Sequence, residues 1–214
     1  MKLKGGADKL SDLQTHNGDP DLPDNAPLPN NIILIGMFGS GKSTVGRLMA
    51  QKIRYTLVDP DHLIENRYHK PLQRVLDVLG MKGFMAMEDQ ILQDIKTRRC
   101  VVAPGGSAVY YPKAMASLRK LGPVVYLKVD LAELKKRLPN WSARGTICRG
   151  GDTIPALYRE RTPLYRKYAD LVVNANGHKW EKTAADVLKA VGEWQAKQLK
   201  AAENSKKTPP PRRG

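Results

Sequence analysis

The 214 residues, 41% of them apolar, suffice for one α/β domain with its own core, since single domains commonly run to about 200 residues. No run approaches the roughly 18 to 20 apolar residues a membrane helix needs, and the opening MKLKGGADKLSD lacks a signal-peptide core, so a soluble, cytoplasmic chain, taken as a monomer, is expected. The net charge of +15 suggests an anionic partner, but no binding module and no basic face interleaved with aromatics argues for nucleic acid; small anionic metabolites account for the charge as well.

Residues 1–30 hold four Pro and carry three Lys against five Asp, without apolar periodicity, and read as a flexible leader. NIILI (31–35) is the first strand, opening a folded domain expected over 31–195. Gly36, Met37, Phe38, Gly39, Ser40, Gly41, Lys42 and Ser43 then fill the pattern G-x-x-x-x-G-K-[ST] between that strand and a helix expected from Lys42 through VGRLMAQKI. In this setting the glycines let backbone N–H groups converge on phosphate oxygens. Lys42 reaches the outer phosphates of ATP, and the Ser43 hydroxyl completes a Mg2+ shell. Gly39, Ser40, Gly41 and Thr44 belong to the same nucleotide cradle.

TLV (56–58) is a second strand, and Asp59 and Asp61 follow it at the carboxyl end, where open α/β sheets build their ligand crevices. One carboxylate can hold water on the metal while the other orients an attacking hydroxyl. The structural alternative for Asp61 is an N-cap to a helix starting at His62. A helical pair is expected over about 71–96. CVVAP (100–104), ending at Gly105, Gly106 and Ser107, and VVYLKVD (124–130) read as buried strands. A short helix with Glu133 and Arg137 four apart comes next. Residues 138–152, with three Gly and no sustained period, read as a mobile lid. LVVNAN (171–176) is the last strand, and 196–214 a basic flexible tail. Strands alternating with amphipathic helices predict an α/β fold with a parallel sheet. Cys100 and Cys148 are expected as free thiols.

Taken together, the cradle, DPDHLIE, PGGSAV and RTPLYRKYAD resemble a shikimate kinase over about 31–176. The resemblance implies a three-layer α/β/α sandwich on a five-stranded parallel sheet and transfer of phosphate from ATP to shikimate. It assigns Asp59 to the metal water, Asp61 to the acceptor hydroxyls, and Gly105 and Gly106 to the acceptor-site backbone. It likewise implies that Arg137 packs on adenine, that Arg144 reaches the γ-phosphate, with Arg149 as the alternative, and that Arg161 pairs with the substrate carboxylate. Two positions depart from the family pattern. Its F-R-x-x-E reads Phe84, Met85, Ala86, Met87, Glu88 here, so the second arginine on the carboxylate is missing, with Lys82 one helical turn earlier as a substitute point charge. The third glycine of G-G-G is Ser107. A different hydroxylated acceptor, or a regulatory nucleotide-binding domain, are the alternative readings.

Overall fold

The computed structural model describes residues 28–139, 153–177 and 179–207. β1 (Asn31–Ile35) is buried along its whole length, as a run of branched aliphatic residues requires when both faces of a strand are covered. It lies at the centre of a sheet ordered β2-β3-β1-β4-β5, with β2 (Thr56–Val58), β3 (Cys100–Val102), β4 (Val124–Lys128) and β5 (Leu171–Asn174). All four pairings are parallel, and Ile33 faces Val102 on one side and Val124 on the other. Parallel neighbours need crossover connections. These come from α1 (Lys42–Ile53), α2 (Pro60–Tyr68), α3 (Leu72–Asp94), α4 (Pro112–Leu121), α5 (Leu131–Arg137) and α6 (Ile154–Tyr168), and α7 (Trp180–Lys207) closes the order.

Alternation along β1 divides the core in two. Ile33 and Ile35 pack with Leu92, Met115, Leu118 and Leu157 on one face. Ile32 and Leu34 pack with Val45, Met49, Val187 and Val191 on the other. The result is the expected three-layer α/β/α sandwich with a five-stranded parallel sheet. Asn31, 2% exposed, ties the sheet's amino edge together. Its Nδ2 donates to the carbonyls of Thr97 (2.9 Å) and Leu121 (3.2 Å), and its Oδ1 accepts from the Cys100 amide (3.1 Å). Cys100 is a free, buried thiol; Cys148 lies outside the described residues. No helix among them is long and apolar enough to cross a membrane.

The elements differ from the sequence reading at their ends. The helix after the second strand starts at Pro60 rather than His62, and Asp59, not Asp61, is its N-cap: Asp59 Oδ1 accepts from the Asp61 amide at 3.1 Å. Proline at the first helical position explains the earlier start, because its fixed φ suits a helix and its missing N–H would have been unpartnered there. The helical pair expected over about 71–96 is present as the two parts of α3, which meet at a kink at Gly80 (φ 65, ψ 170). CVVAP pairs only to Val102 and VVYLKVD only to Lys128. α7 continues to Lys207, past the point at 196 where a flexible tail is expected, because AKQLKAAENSKK is rich in good helix formers.

Candidate active site

The cradle follows from β1 ending against α1. Gly39 (φ 76) and Gly41 (φ 92) take left-handed backbone, open to glycine at no steric cost. Space excludes a side chain as well: a Cβ on Gly39 would lie 2.7 Å from Leu138 Cδ1, and one on Gly41 2.4 Å from Trp180 Cζ3. The end of α5 and the start of α7 therefore press directly on the loop. Lys42 is buried, and its Nζ donates to the carbonyls of Gly36 (2.9 Å) and Met37 (3.0 Å), so it folds back over the glycine-rich loop. Burial lowers its pKa to about 8, against the opposing pull of Asp61 and Asp59. The Ser40 hydroxyl is buried without a protein partner among the described residues, and Thr44, one position beyond the motif, is exposed on the first turn of α1.

Ser43 Oγ donates to Asp59 Oδ2 at 2.9 Å, joining the first turn of α1 to the end of β2. A hydroxyl and a carboxylate in contact, beside a phosphate cradle, form the oxygen-donor set that magnesium takes when phosphates and water supply its remaining ligands. The described residues hold no cluster of three His, Cys, Asp or Glu side chains that could hold a metal ion. Asp61 sits two positions on, in the first turn of α2. Burial pushes its carboxyl up to about 6, with the Asp59 charge adding to the rise and Lys42 opposing it.

The strand-end glycines form the opposite wall. A Cβ on Gly105 would lie 3.1 Å from Glu88 Oε1, 3.2 Å from Asp61 Oδ1 and 3.4 Å from Ser107 Oγ, so two carboxyl groups and a hydroxyl converge on this backbone. A Cβ on Gly106 would lie 3.3 Å from Arg161 Nη1, 3.3 Å from the Phe38 amide nitrogen and 3.2 Å from the Tyr165 hydroxyl. Arg161 is 1% exposed, which rules out a solvated surface charge. Its Nε donates to Tyr110 Oη (3.0 Å), and its guanidinium lies 5.0 Å from the centre of that ring. Tyr165 donates to the Gly106 carbonyl at 2.7 Å and stacks on Tyr126, fixing the glycine from below.

Arg137 is fixed too. Nε donates to Glu133 (2.9 Å), Nη2 to the Ala175 carbonyl (2.7 Å), and the guanidinium stacks on Trp180 at 4.6 Å from the ring centre. The i, i+4 pairing expected from sequence is present; the aromatic partner was not anticipated, since Trp180 lies 43 positions on. Arg144 and Arg149 fall in the lid segment outside the described residues. Met85 is half-buried against the core and Lys82 is exposed on α3.

Sequence reasoning missed the role of Glu88, although it named the residue. Glu88 is 3% exposed and accepts hydrogen bonds from Ser107 Oγ (2.8 and 3.0 Å) and Tyr111 Oη (2.5 Å). Burial raises its pKa to about 7, against the lowering by those hydroxyls. Ser107, noted as a departure from the G-G-G pattern, was the one available signal.

A phosphate cradle, a hydroxyl–carboxylate pair for a metal, a second carboxylate and a buried arginine thus meet at the carboxyl edge of the sheet. The family model described as Shikimate kinase matches residues 38–192, a span that contains nearly all of these groups. The shikimate kinase of Nitrosomonas europaea is 37% identical over 155 residues, covering 71% of this chain and 74% of that one. That of Clostridium botulinum (strain Loch Maree) is 34% identical over 169 residues, covering 77% and 98%. Among solved structures, the shikimate kinase of Acinetobacter baumannii, determined in complex with shikimate, superposes with a TM-score of 0.70 at 27% identity over 76% of this chain and 93% of that one. The Aquifex aeolicus shikimate kinase gives 0.67 at 26%, over 78% and 98%. With sequence, fold and site architecture in agreement, the chain belongs to the shikimate kinase family.

Proposed function

We propose that this protein transfers the γ-phosphoryl group of ATP to a hydroxyl of shikimate, giving shikimate 3-phosphate and ADP. The observation that carries the reading is the meeting of the cradle loop with Gly105–Gly106: a Cβ on Gly106 would lie 3.3 Å from both the Phe38 amide nitrogen and Arg161 Nη1, and one on Gly105 3.2 Å from Asp61 Oδ1. One side of this junction suits a polyphosphate, the other a small hydroxylated carboxylate. The Acinetobacter baumannii relative solved with shikimate supports the choice of acceptor.

Lys42 leaves the Gly36 and Met37 carbonyls to meet the outer phosphates, and the cradle amides neutralise their charge. Ser43 and, through water, Asp59 would hold a magnesium ion, whose charge would help to neutralise the phosphates. Asp61 accepts a hydrogen bond from the acceptor hydroxyl and aims its oxygen at the γ-phosphorus. The new P–O bond forms as the bond to the β-phosphate breaks, and the hydroxyl proton is released towards Asp61 or solvent. Arg161 pairs with the acceptor carboxylate, and the Gly105–Gly106 backbone shapes the wall of the site. Arg137 flanks the adenine. Phosphoryl transfer asks mainly positioning and charge neutralisation of the protein, and each of these groups supplies one or the other.

A second reading, a related kinase with a different hydroxylated acceptor, draws on Met85, which offers no charge where the family pattern has an arginine. A lost charge-assisted hydrogen bond of ~1.5 to 3 kcal/mol weakens an acceptor by roughly one to two powers of ten. A coupled ADP-release assay with magnesium and ATP, comparing shikimate, quinate, gluconate and no acceptor, decides between them. Shikimate-dependent turnover with a raised KM is the expected result. Nucleotide binding without a response to shikimate would transfer the assignment to another acceptor.

A further inference from the structure

Glu88 is a deeply buried carboxyl that the reaction as derived above does not use. Its surroundings are specific. Ser107 donates to both of its oxygens and Tyr111 to one, which ties α3 to the loop carrying Gly105 and Gly106. Its Oε1 stands 3.1 Å from where a Gly105 side chain would begin, with Asp61 Oδ1 at 3.2 Å from the same point. The charged groups acting on it are Asp61 from α2 and Arg161 from α6, the same two side chains assigned to the acceptor. Ser107 and Tyr111, from the loop leading into α4, complete its shell, and Met85, one turn before it on α3, brings no cation.

We propose that Glu88 is a positioning residue that determines acceptor specificity: locked by Ser107 and Tyr111 behind Gly105, it makes binding of an anionic acceptor depend on its own protonation. Neutral Glu88 leaves the α3 side of the pocket uncharged and lets Arg161 act on the acceptor carboxylate unopposed. Ionised Glu88 places a negative charge behind the glycine wall, where it competes for the field of Arg161 and repels the acceptor's carboxylate. No arginine at position 85 offsets that charge. Burial holds the switch near neutral pH, and the two hydroxyls set where it falls. The inference rests on the acceptor being an anionic hydroxy acid.

The test is calorimetric titration of shikimate into the nucleotide-free, full-length protein between about pH 6.5 and about pH 8.5, with shikimate methyl ester as the uncharged probe. Affinity for shikimate is expected to fall about three- to ten-fold across that interval, as a partly screened charge at close range implies, while the ester's affinity stays level. Glu88→Gln should remove the fall and keep the affinity seen at the acidic end. Ser107→Ala and Tyr111→Phe, which remove groups that favour the ionised form, should displace the midpoint to higher pH; they carry the test if Glu88→Gln does not fold. Equal pH dependence in wild type and Glu88→Gln, an ester that tracks the acid, or a midpoint unmoved in both hydroxyl variants would overturn the proposal. The reading of function fails separately: pH-dependent binding without ADP release would sink the kinase assignment alone, ADP release with a pH-independent affinity would sink this inference alone, and no binding at any pH would sink both.

Discussion

Lys42 and Asp61 are moved off their ordinary ionisation by the same cause, burial, which lowers the lysine to about 8 and raises the aspartate to about 6. In the proposed reaction Asp61 must be ionised to accept from the acceptor hydroxyl, and Lys42 must be charged to meet phosphate. Since kcat/KM reports the free enzyme, the kcat/KM for shikimate should climb as pH rises through about 6 and decline as it passes about 8. In Glu88→Gln the alkaline limb should reflect Lys42 alone. Lys42→Ala should abolish nearly all turnover. Asp61→Asn should lower kcat by orders of magnitude, in line with a lost catalytic group, while ATP affinity, measured by nucleotide titration, changes little. The cradle and the two aspartates were legible because their spacing is local: eight consecutive positions and a D-x-D after a strand. Glu88 was not, because its donors lie 19 and 23 positions downstream, and helix periodicity cannot tell a carboxyl buried against a loop from one in water.

α3 shows what an element adds. Its first and second parts meet at Gly80, whose φ of 65 and ψ of 170 fall in a region essentially restricted to glycine. Nothing lies within 4 Å of where its Cβ would be, so backbone strain alone opposes substitution. Gly80→Ala should cost about 1 to 3 kcal/mol, read as a fall in the denaturation midpoint with an unchanged slope. Apolar spacing continues through this kink, so the sequence pattern gives the helical pair but not the residue at which its parts meet. The second part carries Glu88 into the core, with a consequence for stability. Its carboxyl binds protons more tightly folded than unfolded, so its contribution is fully present below about 4.5 and is lost as pH rises through about 7. Wild type should therefore melt at progressively lower temperature between those values, by up to about 3 kcal/mol from this group at 1.36 kcal/mol per unit. Glu88→Gln should show a shallower decline. Strand and helix order was readable from alternating patterns; the caps were not, because Asp59 and Asp61 are chemically equal and only the proline between them decides where the turn starts.

At the scale of the molecule, the last helix divides into a packed part and an exposed basic extension. α7 buries Thr183, Ala184, Val187 and Val191 against the sheet, whereas positions 197–205 are exposed. Truncation after residue 196 should leave kcat and KM for both substrates unchanged and the melting temperature within a few degrees, since exposed helix contributes little beyond propensity. A larger loss would show that the basic extension takes part in the fold. The order β2-β3-β1-β4-β5 also bears on how the protein is made. Both neighbours of β1 come later, Cys100–Val102 and Val124–Lys128, so the strand that leads into the cradle stays unpaired in a growing chain until Cys100–Val102 has emerged. Eight adjacent residues thus become a nucleotide site only once distant sequence arrives, and a pause in translation before Cys100 would expose a bare apolar strand to aggregation.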